Sequence, residues 1–78
     1  MGPAHLAIRE RLKKITDNIR KVRENKGFSQ EYMATRLHIS QNTYSKLELG
    51  YTALTIERLI QIAAILEISI IDLLNPDK

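Results

Sequence analysis

The sequence predicts an all-α fold, and three features of its pattern support this prediction. Apolar residues recur every three or four positions through most of the chain, which is the period of an amphipathic helix. No stretch alternates apolar and polar residues for long enough to form a strand. Ser or Thr precedes several apolar stretches and Gly follows two of them, as expected at the starts and ends of helices. With 78 residues, the chain has the length of one small domain.

The first predicted helix carries an apolar stripe made of Ile8, Leu12, Ile15, Ile19 and Val22. One long helix and two short ones fit this stripe equally, because residues 16–18 are weak helix formers and good caps. We expect residues 1–14 to form an arm or helical extension and residues 15–78 to form the domain. The extension docks on its own domain, forms a seam between two copies, or is ordered only in a crystal. Of these three, we favour the seam between two copies.

Two short helices separated by a three-residue turn are predicted next. Ser29 caps a helix over residues 30–37, and Ser40 caps a second helix that is ended by Gly50. This spacing is typical of a helix-turn-helix, in which the first helix crosses the phosphate backbone. The amino-terminal residues of the second helix then reach the edges of the bases.

The carboxyl-terminal part contains a fourth helix and a final helical turn. Thr55 caps the fourth helix, and Ser69 with Asp72 forms a short capping box for the last turn, which Asn75 and Pro76 end. The fourth helix is dense enough in apolar residues that we expect most of its circumference to be buried in the core. These residues are Ile56, Leu59, Ile60, Ile62, Ala63 and Leu66.

The net charge of +3 is unevenly distributed along the chain. Residues 1–26 hold eight Lys or Arg and three Asp or Glu, whereas residues 51–78 hold two basic and four acidic residues. A basic face at one end and an acidic face at the other can orient a protein on a polyanion. A solvated helix face explains the charge equally well.

Composition also argues against several classes of protein. The absence of cysteine excludes disulfides, thiolate zinc sites and thiol nucleophiles. The two histidines, His5 and His38, have no second ligand at helical spacing, and no acid, base or nucleophile cluster stands out. We therefore expect no metal, no cofactor and no enzymatic activity. No apolar run is long enough to span a membrane, so we expect a soluble, cytoplasmic protein.

The second helix of the predicted pair begins with side chains suited to reading bases. Gln41 and Asn42 each present a donor and an acceptor, which match the edge of adenine, and Lys46 can donate to guanine. Ser45 lies beside Lys46, one turn along. Gln and Asn are also ordinary surface residues at a helix start, and the pair alone leaves that interpretation open.

Several short segments between Ile19 and Leu74 form a recognisable series. They are Ile19-Arg20, Arg23, Gly27 to Glu31, Leu37 to Gln41, Tyr44 to Glu48, Gly50, Leu59, Ile62-Ala63, Ile70 and Asp72 to Leu74. In this order and spacing they resemble the Cro and phage-repressor type of bacterial regulator, often called the XRE family. The resemblance implies a compact, five-helix, lambda-repressor-like DNA-binding domain, here with an amino-terminal helical extension.

The resemblance assigns roles to individual residues. It implies a partly buried ion pair between Arg23 and Glu48 that ties the first helix to the recognition helix. It implies a loop from Gly50 to Thr52 whose backbone amides approach DNA. Base contacts are implied for Gln41, Asn42, Ser45 and Lys46. We expect backbone contacts from Gln30, Arg36, Thr43, Tyr44, Tyr51 and Thr52, with packing against the helix pair as the alternative for Tyr44.

Three positions depart from the family pattern. His38 and Glu67 stand where glycine is usual, because the backbone at these helix ends tends to have positive φ. Leu49 replaces an Asn that touches phosphate, so we expect that contact to be missing.

These observations predict a sequence-specific regulator of transcription that binds double-stranded DNA as a homodimer on a palindromic operator, with repression as the expected outcome. The alternative is a protein interaction module on the same fold, for example an antitoxin-type domain that binds a protein partner not identified by the sequence.

Overall fold

The computed structural model describes residues 3–76 and contains five α-helices and no strand in that range. In chain order they are α1 (Pro3–Asn25), α2 (Gln30–Leu37), α3 (Gln41–Glu48), α4 (Ile56–Leu66) and α5 (Ile70–Leu74). The all-α prediction is therefore confirmed. None of the described helices is both long and apolar enough to cross a bilayer.

The helix starts lie where the sequence predicts them. The side-chain oxygens of Ser29, Ser40, Thr55 and Ser69 each accept a hydrogen bond from the backbone N–H three residues later, at 2.9 to 3.1 Å. Each cap residue has extended backbone angles, as an N-cap requires. These four caps fix where α2 to α5 begin, and therefore which side chains lie on each face of these helices.

Four helices end in the same hydrogen-bonded motif, with one residue in the left-handed conformation. These residues are Gly27, His38, Gly50 and Glu67, with φ of 76°, 59°, 80° and 56°. In each case the next N–H reaches back five residues to a helix carbonyl, as in the bond from Ile39 to Ala34 at 3.0 Å. The positive φ expected at His38 and Glu67 is confirmed.

A single core joins all five helices. Its fully buried side chains come from every element of the fold, so no helix is peripheral to it. They are Ile19 from α1, Met33 from α2, Tyr44 from α3, Ile62 and Leu66 from α4, and Leu73 from α5.

The helix α1 is continuous, so the first of the two alternatives for this segment is correct. The cap-like side chains between residues 16 and 18 are occupied elsewhere. The Thr16 hydroxyl donates to the Lys13 carbonyl at 3.1 Å, and the Asn18 amide donates to the Leu73 carbonyl of α5 at 3.1 Å. Both side chains donate to carbonyls, whereas a cap side chain would accept from a backbone N–H, and the helix continues through these residues.

The apolar stripe of α1 is buried in its second half only. Ile15 and Ile19 lie in the core, whereas Ile8 and Leu12 are 60% and 45% exposed. Of the three alternatives for this segment, docking on its own domain does not apply to Ile8 and Leu12, because α1 projects beyond the helices that cover its second half.

The prediction for α4 also needs correction. Ile56 and Ile60 are 69% and 55% exposed, although we expected most of the circumference to be buried. The side chains that are buried on α4 form one face at helical spacing, and α2 and α5 pack on it. Ile56 and Ile60 lie four residues apart on the neighbouring row, which faces away from the core.

Candidate nucleic-acid interface

The helices α2 and α3 form a closely packed pair joined by the turn at residues 38–40. Because His38 adopts the left-handed conformation, the chain leaves α2 sharply and enters the Ser40 cap two residues later. Ile39, between them, packs partly buried against the core and anchors the turn. This geometry fixes the direction in which α3 leaves the pair.

The helix α3 has one buried and one exposed face. Tyr44, Leu47 and Glu48 are buried, and they hold the helix against the domain. The predicted base-contacting residues lie outside this buried face. Gln41, Asn42 and Lys46 are exposed and Ser45 is half-buried, so the amino-terminal end of α3 offers amide, hydroxyl and ammonium groups to the solvent.

The buried end of α3 is held by a polar cluster around Glu48, which we call the Glu48 cluster. Arg23 donates to both carboxylate oxygens, from Nε at 2.6 Å and from Nη2 at 3.2 Å. The Tyr44 hydroxyl donates to Oε2 at 2.6 Å and the Gln30 amide donates to Oε1 at 3.3 Å. Arg23 Nη1 also donates to the Phe28 carbonyl at 2.8 Å. The ion pair expected between Arg23 and Glu48 is therefore present.

The Glu48 cluster is fully hydrogen-bonded. No buried side-chain nitrogen or oxygen of the described residues lacks a partner, which is what makes a buried charge tolerable. The hydrogen bond to Glu48 raises the pKa of Arg23, against an opposing effect of burial. Burial raises the pKa of Tyr44 far above its usual value, and the hydrogen bond to the Glu48 carboxylate raises it further. Arg23 is therefore charged and Tyr44 neutral at physiological pH.

The backbone contact expected of Tyr44 is wrong. Its side chain is completely buried and its hydroxyl is bound to Glu48, so a phosphate cannot reach it. The alternative interpretation, packing against the helix pair, is the correct one. The spacing in the sequence is consistent with this role. Tyr44 stands four residues before Glu48, and side chains four residues apart meet on the surface of a helix.

The remaining predicted backbone contacts lie around α3. Gln30, at the start of α2, is half-buried, and its amide nitrogen is directed to Glu48. Thr43 is exposed and accepts a hydrogen bond from the Ser40 hydroxyl at 2.8 Å. Arg36 is exposed on α2, with its guanidinium 5.9 Å from the centre of the Tyr32 ring.

The loop after α3 differs in one respect from what the resemblance implies. The Gly50 N–H donates to the Leu47 carbonyl at 3.1 Å and the Tyr51 N–H donates to the Lys46 carbonyl at 2.9 Å. These two amides complete the end of α3 and are not available to a phosphate. The exposed side chains of Tyr51 and Thr52 are the polar groups that this loop presents.

A cationic row on α1 borders the carboxyl-terminal end of α3 and belongs to the basic amino-terminal segment from which the sequence predicts attraction to a polyanion. Arg9, Lys13 and Arg20 line a groove together with Leu49, which is exposed, and Gly50. Asp17 holds two of these cations, with contacts of 3.2 Å to Lys13 and 3.3 Å to Arg20. Arg9 and Lys13 are four residues apart, and Lys13 and Arg20 are seven apart. These spacings place the three cations on one face of the helix.

The described residues include no group of three or more His, Cys, Asp or Glu that could hold a metal ion. The pair α2 and α3 instead presents the exposed, polar amino-terminal end of α3. The carboxyl-terminal end of the same helix is fixed by the buried pair of Arg23 and Glu48 and bordered by the cations of α1. An exposed, polar amino-terminal end is what a recognition helix brings into the major groove of DNA.

Comparisons with known proteins agree with this geometry. The profile of the helix-turn-helix family matches residues 19–73, which is more than two thirds of the chain and includes α2, α3 and α4 in full and parts of α1 and α5. The searches against curated proteins and solved structures give no match. From the matched profile, the spacing of its motifs and the five-helix fold, the chain belongs to the helix-turn-helix family of the Cro and phage-repressor (XRE) type, a family of DNA-binding regulators of transcription.

Proposed function

We propose that the protein is a sequence-specific repressor that binds a palindromic operator as a homodimer. In this proposal the amino-terminal end of α3 enters the major groove. Gln41, Asn42, Ser45 and Lys46 contact base edges there, with bidentate amide contacts to adenine and donation from Lys46 to guanine.

The observation that carries the proposal is the division of α3 into two faces. The buried face is fixed by Tyr44, Leu47 and Glu48, and Glu48 is itself held by Arg23 of α1. Gln41 and Asn42, at the amino-terminal end of the helix, are exposed. A helix anchored in this way presents its polar groups without reorganisation, which lowers the cost of ordering them on DNA.

Contacts to the phosphate backbone position the helix in the groove and carry no sequence information. We assign these contacts to Arg36 and Gln30 on α2, to Thr43 on α3 and to Tyr51 and Thr52 in the loop. Arg36 supplies the charge, and its attraction to DNA falls steeply as salt concentration rises.

We infer the homodimer from the affinity that operator binding requires. A single module of this size buries about 600 to 1,000 Å² of protein surface on DNA, whereas operator affinities of ~10⁻⁸ M or tighter are typical of specific complexes. Two copies related by a two-fold axis would read two half-sites whose centres lie ~10 bp apart. A dimer bound at such a site within a promoter excludes polymerase, which makes repression the proposed outcome.

Selection from random duplexes tests the proposal. The protein is incubated with a randomised double-stranded library at low salt, bound duplexes are recovered, and the enriched sequences are aligned. The proposal requires an inverted repeat with the spacing given above. Retention without enrichment would show a non-specific DNA-binding protein and would contradict base reading.

The second candidate is a module that binds another protein through this fold. It is favoured by the large apolar side chains that the domain leaves exposed, among them Ile60 and Ile71. Salt-dependent retention on heparin and on mixed-sequence DNA separates the candidates. An absence of retention at low salt would support the protein interaction module and would contradict the repressor.

A further inference from the structure

Two helices carry pairs of apolar side chains that no other described part of the chain covers. The first pair, Ile8 and Leu12, lies on the part of α1 that projects from the domain, and we call it the arm row. The second pair, Ile56 and Ile60, lies on α4, and we call it the α4 row. All four side chains are at least 45% exposed. Exposed apolar rows of this kind mark contacts with other molecules.

The arm row has the geometry of a helix-packing surface. It continues, at spacings of four and three residues, the stripe that Ile15 and Ile19 bury in the core. Leu6 is also exposed, but its position in the helical repeat places it on the opposite face of α1. The stripe is thus built to pack against a helix along its whole length, and the domain itself covers only half of it.

The charges beside the two rows are of opposite sign. The projecting part of α1 carries Arg9, Arg11, Lys13 and Lys14 against a single acid, Glu10. The α4 row is flanked by Glu57, which shares the exposed side of the helix with Ile56 and Ile60. Glu67, just after α4, already lies 3.8 Å from Lys26 of its own copy. Packing two arms together sets like charges against each other, whereas packing an arm on α4 sets the arm's cations beside the Glu57 carboxylate.

The occupant of the α4 row is not the arm of the same chain, because both rows are exposed within one copy. A second copy related by a two-fold axis can offer its arm row to this α4 row and its own α4 row to the first arm, so every contact is made twice.

We infer that the protein dimerises by exchanging arms: the arm row of each copy packs on the α4 row of a second copy. This inference rests on the homodimer of the proposed function, and it adds the surfaces that form it. It also assigns a role to the extension formed by residues 1–14, which is to hold the second copy of the chain.

The test uses sedimentation equilibrium of the full chain without DNA. The arm variant carries Ile8→Ser and Leu12→Ser, the α4 variant carries Ile56→Ser and Ile60→Ser, and Leu6→Ser is the matched control. Serine has a helix propensity close to that of isoleucine, and all these positions are exposed, so each variant keeps its helical circular dichroism.

Reciprocal exchange has a specific signature in mixtures of the two variants. In a homodimer of either variant, each of the two contacts between an arm and an α4 helix has one altered side. We expect the dimer affinity of each variant to fall by at least ~100-fold. In the heterodimer, the intact arm of the α4 variant packs on the intact α4 of the arm variant. The other contact of the heterodimer joins the altered arm to the altered α4, so an equimolar mixture recovers part of the lost dimer affinity, measured with a fluorescent label on one variant. Leu6→Ser leaves the wild-type affinity unchanged.

Other outcomes overturn the inference in distinguishable ways. Loss of dimer in the arm variant alone shows arm-to-arm pairing, and loss in the α4 variant alone shows pairing of two α4 helices. Wild-type dimers that none of these variants weakens exclude both rows but leave the proposed function intact. A wild-type protein that remains monomeric at every concentration contradicts the homodimer itself.

Charge reversal provides a second measurement that does not depend on removing apolar groups. Arg11→Glu and Glu57→Lys each weaken the dimer, because each sets like charges against each other across the contact. A chain carrying both changes has opposite charges at both contacts again, and we expect it to recover dimer. Additive loss in the double variant contradicts the exchange.

Discussion

Arg23 and Glu48 connect the first helix to the recognition helix through two hydrogen bonds, from Nε to Oε2 at 2.6 Å and from Nη2 to Oε1 at 3.2 Å. A buried ion pair of this kind contributes little net stability compared with an apolar pair of the same shape. Its geometry, however, fixes the end of α3 relative to α1. We infer that this ion pair sets the angle at which α3 meets DNA.

Removing the carboxylate should therefore cost stability as well as DNA affinity. Glu48→Ala leaves Arg23 buried and uncompensated, and we expect the free energy of unfolding to fall by about 3 to 5 kcal/mol. For a domain of this size that lowers the melting temperature by roughly 12 °C or more.

Circular dichroism measures the melt, and Glu24→Ala serves as the control, because Glu24 is an exposed carboxylate 3.9 Å from Arg23. Glu48→Gln keeps the shape of the side chain and provides a milder variant if the alanine variant does not fold. A melting temperature unchanged by both substitutions at Glu48 would show that the ion pair does not hold α3.

Tyr44 makes stability depend on alkaline pH. Its pKa is raised in the folded state, so the proton it holds stabilises the fold fully below the usual tyrosine pKa of about 10. As pH rises above that value the unfolded chain loses the proton first, and this stabilisation decreases. We expect the free energy of unfolding to decline above pH ~10.

Tyr44→Phe should remove this part of the pH dependence while lowering stability at neutral pH, because Glu48 loses one donor. Tyr51→Phe, at an exposed ring, is the matched control. Denaturant titrations at pH values from 7 to about 11 provide the measurement. Identical pH profiles for the wild type and Tyr44→Phe would contradict the assignment.

His38 and Glu67 adopt the left-handed backbone conformation although neither is glycine, and we expect this to strain the backbone at both positions. His38 and Glu67 have φ of 59° and 56°, and we expect His38→Gly and Glu67→Gly each to stabilise the protein by about 1 kcal/mol. Conversely, a side chain at Gly27 meets no atom within 4 Å, so Gly27→Ala tests φ strain alone and should destabilise by a similar amount.

Thermal melts of these three variants measure the effect, and Thr35→Gly is a control for glycine inside α2, where we expect a loss of stability. A decrease in melting temperature for both His38→Gly and Glu67→Gly would mean that the lost side chains make contacts worth more than the strain.

Helix starts and ends were predictable because they depend on short local patterns. Ser40 followed by a polar helix opening, and Gly50 after an apolar residue, specify caps through bonds to the nearest backbone groups. The resemblance to a known family supplied the Arg23 and Glu48 pair, which residue spacing alone did not predict.

Burial was harder to predict, because it depends on how many neighbours a helix has. The composition of α4 suggested a central helix, but Ile56 and Ile60 are exposed because none of the described helices packs on that side. The aromatic ring of Tyr44 is equally compatible with a surface and a core position. Its hydroxyl could be assigned to Glu48 only once the packing of α1 against α3 was known.

Arg36 should contribute to DNA affinity without contributing to sequence preference. We expect Arg36→Ala to weaken binding to all duplexes alike and to reduce the slope of log affinity against log salt by about 1. Fluorescence anisotropy with a selected duplex and a random duplex, over a range of salt concentrations, provides the measurement. Lys21→Ala is the matched control, because Lys21 lies on the face of α1 beside Pro76. Equal slopes for Arg36→Ala and Lys21→Ala would remove Arg36 from the backbone contacts.

Gln41 provides the most direct test of base reading by α3. Selection from random duplexes is carried out in parallel with the wild type and with Gln41→Ala, and the base preferences are compared position by position. We expect the variant to retain the inverted repeat and its spacing, to lose preference at one position in each half-site, and to lose about 1 to 3 kcal/mol of binding free energy on the wild-type site alone. Unchanged preferences at every position, or equal losses on selected and random duplexes, would contradict the account in which the exposed end of α3 reads the operator.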